Sequence, residues 1–464
     1  MAQASEMLMA PRGIRVDVSE SGTRTRRGWL RCQIGENIEF STERLETYCL
    51  TNWQPIVYDA LLLAAAVEFA DKTLRRSVYR WDREMELRVP VHDADRWNDK
   101  RVLTALHDAL NFLTGDRWRV TFFGRSTPEA PPPQCCFELP SGVAAVIPFS
   151  DGLDSRAVAG LMERELGDKL IRVRLGPKIC DARLLSRQGH LFTSVPYHVR
   201  AGSQHFVESS SRSRGFKFTL LGGLAAYLAR VNRIIVSESG QGALGPALVT
   251  VGQSYEDYRS HPLFTSRMER FLVALLGHDV RFQFPRIWYT KGETLAAFIR
   301  ECGNNAAWSD TCSCWQQNRQ VSVDHKKRQC GICAACMLRR MSVHAAGLKE
   351  PEQTYVWEEL AATSFRAGAA TGFNEKKVTG KMREYAIAGV LHLDHLAGLL
   401  ASPANLQTLN LNVFQLSKSM GIPETEVHSN LTRLLIQHGT EWKDFVNSLG
   451  QNSFVADWAT HGSI

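Results

Sequence analysis

Six consecutive residues, Ser150-Asp151-Gly152-Leu153-Asp154-Ser155, carry groups suited to chemistry on a phosphate. Ser150 and Ser155 offer hydroxyl donors, Asp154 offers a carboxylate, and Gly152 lets a backbone pass close to an anion because it lacks a Cβ. The apolar run Val143-Ala-Ala-Val-Ile-Pro-Phe149 before them reads as a buried strand, and a helix is expected from Arg156 to about Leu166. A strand that turns straight into a helix aims free N–H groups and the positive end of the helix dipole into the turn. Asp-Gly is also ordinary turn chemistry. No Gly-Lys-Ser/Thr follows, so the loop is not that of a kinase or GTPase.

A second set is built from thiols. Five of the eleven cysteines lie close together: Cys312, Cys314, Cys330, Cys333 and Cys336. The last three recur every third residue, a spacing that lets a turn and a helix start aim them at one metal. A fourth sulfur from a separate segment would close a tetrahedral zinc site; Cys314 is the expected ligand and Cys312 the reserve. Four sulfurs leave no open position, which makes the site structural. Spacing alone does not separate zinc from an iron–sulfur cluster. A disulfide framework is disfavoured, because Cys32, Cys49, Cys135, Cys136, Cys180 and Cys302 are scattered without a pairing pattern and no signal peptide is evident.

Together these motifs resemble the QueC family of 7-cyano-7-deazaguanine synthases. The resemblance rests on the Ser-x-Gly-Leu-Asp-Ser loop, on Thr311-Cys312-Ser313-Cys314, and on Cys330-Gly331-Ile332-Cys333-Ala334-Ala335-Cys336-Met337-Leu338-Arg339. Arg214-Gly215-Phe216-Lys217-Phe218 is similar to that family's Arg-Asn-x-x-Phe segment, with Gly215 in place of the Asn; the resemblance implies that it opens a helix lining the nucleotide and substrate pocket. An expected strand, Arg233–Ser237, delivers Glu238-Ser239-Gly240-Gln241-Gly242 at its C-terminal edge, where ligands bind in open α/β sheets. The likeness covers roughly residues 136–350. Departures are Asp151 where the family usually has Gly, a longer interval between Cys314 and Cys330 holding Asp324-His325-Lys326-Lys327-Arg328, and long flanks on both sides. The enlarged architecture resembles the QueC-like proteins of bacterial anti-phage defence operons, particularly the QatC proteins of the Qat system.

The resemblance implies an α/β fold whose parallel-sheet core is of the PP-loop, adenine nucleotide alpha hydrolase-like type, with a structural zinc site. Three domains are expected. Residues 1–135 form an N-terminal α+β domain, 136–350 the PP-loop ATPase domain with its four-cysteine zinc site, and 351–464 a helical C-terminal domain. Ser126–Gln134, rich in proline, reads as a stiff linker at the first boundary. Before it, Met85, Leu87, Val89 and Val91 alternate with polar neighbours in strand fashion, a helix runs from about Lys100 to Thr114 and stops at Gly115, and a strand spans Trp118–Phe123. Leu61–Ala70 reads as a buried helix.

The chain has 464 residues, 44% of them apolar, enough for a large core. No apolar run reaches the ~18–20 residues of a membrane span. The absence of a targeting segment and the many free cysteines point to the cytosol. The excess of 55 basic over 48 acidic residues, +7, is mild and suits phosphate-bearing ligands. The basic run Arg24–Arg31 reads as a solvated edge. Phe414–Gln437 has helix-turn-helix spacing around Gly421-Ile422-Pro423, but its second half offers only Arg433 for base contact, so a helical pair packing on the core is the better reading. His392 and His395 lack a third metal ligand and read as packing residues.

For function, the resemblance implies that ATP and Mg²⁺ are used and that AMP and pyrophosphate leave. Ser150, Asp151, Gly152, Leu153, Asp154, Ser155, Arg214 and Glu238 are the expected nucleotide-binding residues, with Asp154, Ser155 and Arg214 taking part in catalysis and Asp154 holding Mg²⁺. Lys217 and Arg339 are further cations expected at the pocket. The implied substrate is a 7-carboxy-7-deazaguanine-like molecule, whose carboxylate is adenylated and then converted to an amide. The amine is ammonia in the synthases, which continue to the nitrile; here the long flanks suggest a partner protein from the same operon. Two other readings stay open: a PP-loop enzyme modifying tRNA, and a nucleotide-binding scaffold without turnover, to which Asp151 gives weight.

Overall fold

The computed structural model describes residues 13–39, 54–76, 82–127, 142–150, 152–175, 192–195, 197–303, 306–315, 321–374, 376 and 378–462. In chain order its main elements are β1 (Gly13–Ser19), β2 (Leu30–Gln33), α1 (Pro55–Thr73), β3 (Glu84–Val91), α2 (Lys100–Thr114), β4 (Arg117–Gly124), β5 (Ala145–Pro148), α3 (Leu153–Leu166), β6 (Leu170–Leu175), β7 (Phe192–Val195), α4 (Arg214–Ala229), β8 (Arg233–Ile235), α5 (Pro262–Leu276) and β9 (Arg281–Gln283). They continue as α6 (Lys291–Cys302), α7 (Ala334–Ala345), α8 (Gly380–Ala397), α9 (Leu406–Met420), α10 (Glu424–Leu449) and α11 (Phe454–Gly462). The chain divides into two compact units, each assembled from separated segments: Met1–Pro148, Leu166–Val236 and Pro262–Gln283 form one, and Phe149–Glu165, Ser237–His261 and Phe284–Ile464 the other.

The first unit contains two parallel sheets. Strand order in the first is β2-β1-β3-β4, with Leu87 of β3 level with Val16 on one side and Val120 on the other. Met85, Leu87 and Val89 are buried as their alternation predicts. Every pair is parallel, with α1 before β3 and α2 between β3 and β4, whereas the chain passes from β1 to β2 through turns; the sheet is of the parallel α/β kind rather than the expected α+β. α1 starts with proline at its first turn and is buried almost all round, so it covers a sheet as an apolar rod. α2 is capped by the Asp99 carboxylate and ends at Gly115, whose φ of 69° is the left-handed conformation glycine adopts without strain.

The second sheet runs β9-β8-β5-β6-β7, parallel throughout. The chain builds outward from β5 to β6 and β7, then returns to place β8 on the other side of β5. Order therefore reverses between β5 and β8, and the segments after these two strands leave the sheet at its topological switch point. α4, packed on β5 and β6, begins at Arg214; its N-cap Ser213 donates through its N–H and hydroxyl to Asp71 Oδ2, at 3.0 and 2.8 Å. Asp71 and Asp116 in turn hold Arg76 and Arg83 in a buried network.

The second unit is mainly helical. α3, α6 and α7 share an apolar cluster of Leu153, Ala157, Leu295, Phe298 and Val343. The C-terminal helices join the same unit through Leu396, Leu416, Leu431, Leu434 and Leu435, packed against Ile287 and Leu244. α9 and α10 are the two halves of the helix-turn-helix pattern, separated by Gly421 at φ 70°. Leu409, Val413 and Leu416 of α9 and Val427, Leu431, Leu434 and Leu435 of α10 are buried and Arg433 pairs with Glu293, so this is a helical pair packed on the core.

Glu20, just past β1, fixes the exit of β4. It accepts from Arg125 Nε (3.1 Å), from the N–H (2.7 Å) and hydroxyl (2.5 Å) of Ser126, and from the N–H (3.0 Å) and hydroxyl (2.9 Å) of Thr127. The remainder of the expected linker, past Thr127, lies outside the described residues. Burial alone would raise the Glu20 carboxyl, but the Ser126 and Thr127 donors outweigh it and hold it at about 2, below the ordinary 4.5. Glu20→Gln should lower the unfolding free energy at neutral pH by about 1–3 kcal/mol in denaturant titrations. Since the folded-state pKa is depressed, this contribution is present above pH 4.5 and is lost as pH falls towards 2. The curves of the two proteins should converge there; a gap independent of pH would contradict the assignment.

Candidate functional site

The chain leaves β5 at Pro148 and forms a short hydroxyl-lined turn. Ser150 Oγ lies 2.8 Å from Ser155 Oγ and accepts from the Gly152 N–H at 3.2 Å, while Ser155 Oγ also lies 3.2 Å from Ser237 Oγ. Ser237 arrives from the segment after β8, so the two segments leaving the switch point meet through hydroxyls. α3 starts at Leu153, three residues earlier than Arg156, because the turn closes at once through Arg156 N–H to Gly152 O (3.0 Å). Asp154 and Ser155 consequently occupy its first turn, where the helix dipole favours a negative partner. The Leu153 side chain is in the apolar cluster, which leaves only its backbone to face a ligand. Asp151 lies outside the described residues.

Next to this turn three ionisable groups are buried together. Lys291 Nζ is 2.5 Å from Asp154 Oδ2, and the other oxygen, Oδ1, is buried without a hydrogen-bond partner among the described residues. Burial alone would lower the Lys291 pKa, but Asp154 and then Glu238 outweigh it and the ammonium is held charged. Glu238 is driven the other way: burial, then the Asp154 charge, push its carboxyl well above the usual range. A further cation, Arg259, pairs with Asp257 and feels Glu238. The two glycines that follow Glu238 make room. A Cβ on Gly242 would sit 2.1 Å from Glu238 Oε1, and one on Gly240 would meet Ile287 O at 2.1 Å.

Lys291 carries no local signature and sequence reasoning missed it; the Thr290/Glu293 capping box that starts its helix is the one signal that marked the place. The other expected cations each have a neighbour of their own. Arg214 opens α4 in the first unit, with its guanidinium 5.4 Å from the Phe218 ring. Lys217, in the same helix, pairs with Glu68 at 2.7 Å. Arg339 is fully buried. It donates to Thr311 O (2.9 Å) and Thr311 Oγ1 (2.6 Å) and pairs with Glu350 at 2.8 Å. It ties the segment entering Cys314 to helix α7.

That segment belongs to a thiol centre. The sulfurs of Cys314, Cys330, Cys333 and Cys336 lie within 4.8 Å of one another and are all buried, the group among the described residues that could hold a metal. Cys312 stands outside it and packs at the cluster's edge. His392 is buried rather than a ligand, and burial lowers its imidazole to about 4. Gly331, at φ 85°, lets the loop turn, and a Cβ there would meet Trp357 O at 2.8 Å. The Cys330 N–H donates to Cys314 Sγ (3.2 Å) and the Cys333 N–H to Cys330 Sγ (3.3 Å). The thiols of Cys330, Cys333 and Cys336 hold Cys314 far below the ordinary thiol range, as a thiolate acceptor. Four soft donors at this spacing fit a closed structural metal such as zinc. Cys314→Ser should reduce metal from about one per chain to under about a tenth after dialysis against a chelator, whereas Cys312→Ser should retain it. Atomic spectrometry of both variants decides between them; equal loss would remove Cys314 from the ligand set.

Residues 238–347 match the family model described as QueC, Queuosine biosynthesis protein QueC. The match begins at Glu238 and takes in Lys291, the four cysteines and Arg339. No curated protein matches the chain. In this stretch the chain is similar to the QueC family.

Proposed function

We propose that this chain cleaves ATP to AMP and pyrophosphate in order to adenylate the carboxylate of a 7-carboxy-7-deazaguanine-like molecule, and then forms an amide. The observation that carries the reading is the meeting of Ser150, Ser155 and Ser237 at the start of α3, beside the buried Asp154–Lys291 pair. The substrate carboxylate oxygen attacks the α-phosphorus, and the bond to the bridging oxygen breaks as pyrophosphate leaves. Ser150, Ser155 and the backbone of Gly152 and Leu153 donate to the departing oxygens, in a turn where the helix dipole adds to the field. Lys291 supplies a fixed positive charge. An amine nitrogen then attacks the acyl carbon, AMP departs, and the amine proton passes to solvent.

The orphaned Asp154 Oδ1 suits a hard cation. Asp154 would hold Mg²⁺, which when bound neutralises charge on the pyrophosphate. The four-cysteine centre would keep the matched stretch in shape through zinc.

We further take residues 1–135, 136–350 and 351–464 as the working divisions. Much of the chain lies outside the QueC-like stretch, and this motivates the finer reading: the amine belongs to a partner protein encoded in the same operon, in an anti-phage defence system of the Qat type, in the cytoplasm. Mass spectrometry of products from ATP·Mg²⁺ and 7-carboxy-7-deazaguanine, with ammonium or with the operon partner, tests it. AMP should form only when the deazaguanine is present, with the amide on whichever amine is accepted. Asp154→Asn and Ser155→Ala should each slow AMP release by about 10²–10³-fold. AMP formation indifferent to the deazaguanine, or to both substitutions, would overturn the proposal.

A further inference from the structure

Helix α10 lies beyond the QueC-like stretch, yet it presents polar side chains to the first turn of α6, where Lys291 sits. His438 is fully buried. Its Nε2 lies 2.9 Å from Leu393 O, which can only accept, so Nε2 carries the proton and Nδ1 is a bare acceptor. The atom facing Nδ1 at 2.8 Å is Gln241 Nε2, which donates. This orients the amide, and Gln241 Oε1 accepts from the backbone N–H of Lys291 at 2.7 Å, which fixes the main chain from which the Lys291 ammonium extends. Lys291 in turn reaches Asp154 at 2.5 Å. Every donor and acceptor from Leu393 to the backbone of Lys291 has one allowed direction. Burial lowers the His438 pKa to about 4, so the imidazole remains an acceptor at neutral pH.

Two neighbours on α10 reach the same turn. Glu441 Oε1 accepts from the N-cap hydroxyl of Thr290 at 2.5 Å, and Arg433 donates to Glu293 Oε2 and to Trp288 O, both at 2.9 Å. Helix start and interface are already served by the capping box and by Leu431, Leu434 and Leu435. A buried His–Gln pair adds desolvation to that apolar interface, whereas a leucine would fill the space without it. What the pair supplies is direction.

We propose that His438 and Gln241 are positioning residues that hold Lys291 against Asp154, making the C-terminal helix a working part of the loop site. Its catalytic consequence rests on the ATP reading given above. The test uses the full chain and two readouts: the steady-state rate of AMP formation, and the rate at which Lys291 is acetylated by an N-hydroxysuccinimide ester, followed by peptide mass spectrometry.

In His438→Leu and Gln241→Leu, Lys291 should label at least about tenfold faster while the exposed Lys443 is unchanged. The kcat for AMP should fall by about 10–100-fold with KM for ATP moved less than about threefold. The double variant should be no worse than either single one, as expected for residues acting through one contact. Gln241→Glu places a carboxylate oxygen on bare Nδ1, so it needs a shared proton: Lys291 protection should be lost at alkaline pH and return on acidification. His392, Asp394 and Glu441, the other titratable groups facing this pair, are common to all the proteins compared. Should His438→Leu fail to fold, the two Gln241 variants carry the test. Unchanged Lys291 labelling in folded variants, or multiplied losses in the double variant, overturns the inference. Altered labelling in a chain that makes no AMP would instead leave positioning standing and sink the ATP reading.

Discussion

The second unit is organised around a buried lysine shared by two carboxylates. Removing an ion from water costs several kcal/mol unless a partner and hydrogen bonds compensate. Lys291 meets that condition through Asp154 at 2.5 Å, whereas burial, then the Asp154 charge, push Glu238 towards its neutral form. The surroundings follow from this constraint. Gly242 lacks the side chain that would collide with Glu238, and Asp154 sits in the helix turn whose dipole tolerates its charge. The backbone of Lys291 is held by Gln241, from the segment that also carries Glu238.

The thiol centre solves a different problem with different means. Its shell is apolar and aromatic, with Trp357, Phe365 and Phe454 packed in one cluster, and the loop bearing Cys330 is zipped to the chain at Tyr355–Trp357 by backbone bonds. Arg339 is drawn into this frame by Thr311 and Glu350. Its role is to connect the segment of Cys314 with helix α7, and the loss of Glu350 would leave a buried guanidinium without its carboxylate partner.

What could be read from the residues was what is encoded locally. The Ser150–Ser155 turn and the cysteine spacing are short patterns whose geometry follows from a few neighbouring residues, and Gly115 and Gly421 end helices where expected. Direction was harder. Alternation at Met85–Val91 identifies a strand but says nothing of its partners, so the parallel order β2-β1-β3-β4 was not legible. Arg339 and Lys217 are cations in suggestive motifs, and charge alone does not disclose which acidic neighbour folding will bring them. Lys291 and His438 had no motif at all, because their meaning comes from contacts made across long stretches of chain.

The charge distribution also restricts what the loop can receive. Ser150, Ser155 and Ser237 are neutral donors, whereas Asp154 and Glu238 together outnumber Lys291 in acidic groups. A polyphosphate brought to the hydroxyls would therefore meet repulsion unless Glu238 kept its proton or a cation joined the cluster. Burial already favours the first of these, and the unpartnered Asp154 Oδ1 provides a ligand for the second. A cation on Asp154 Oδ1 would relieve the same excess of carboxylates that makes the cluster electrostatically awkward by itself.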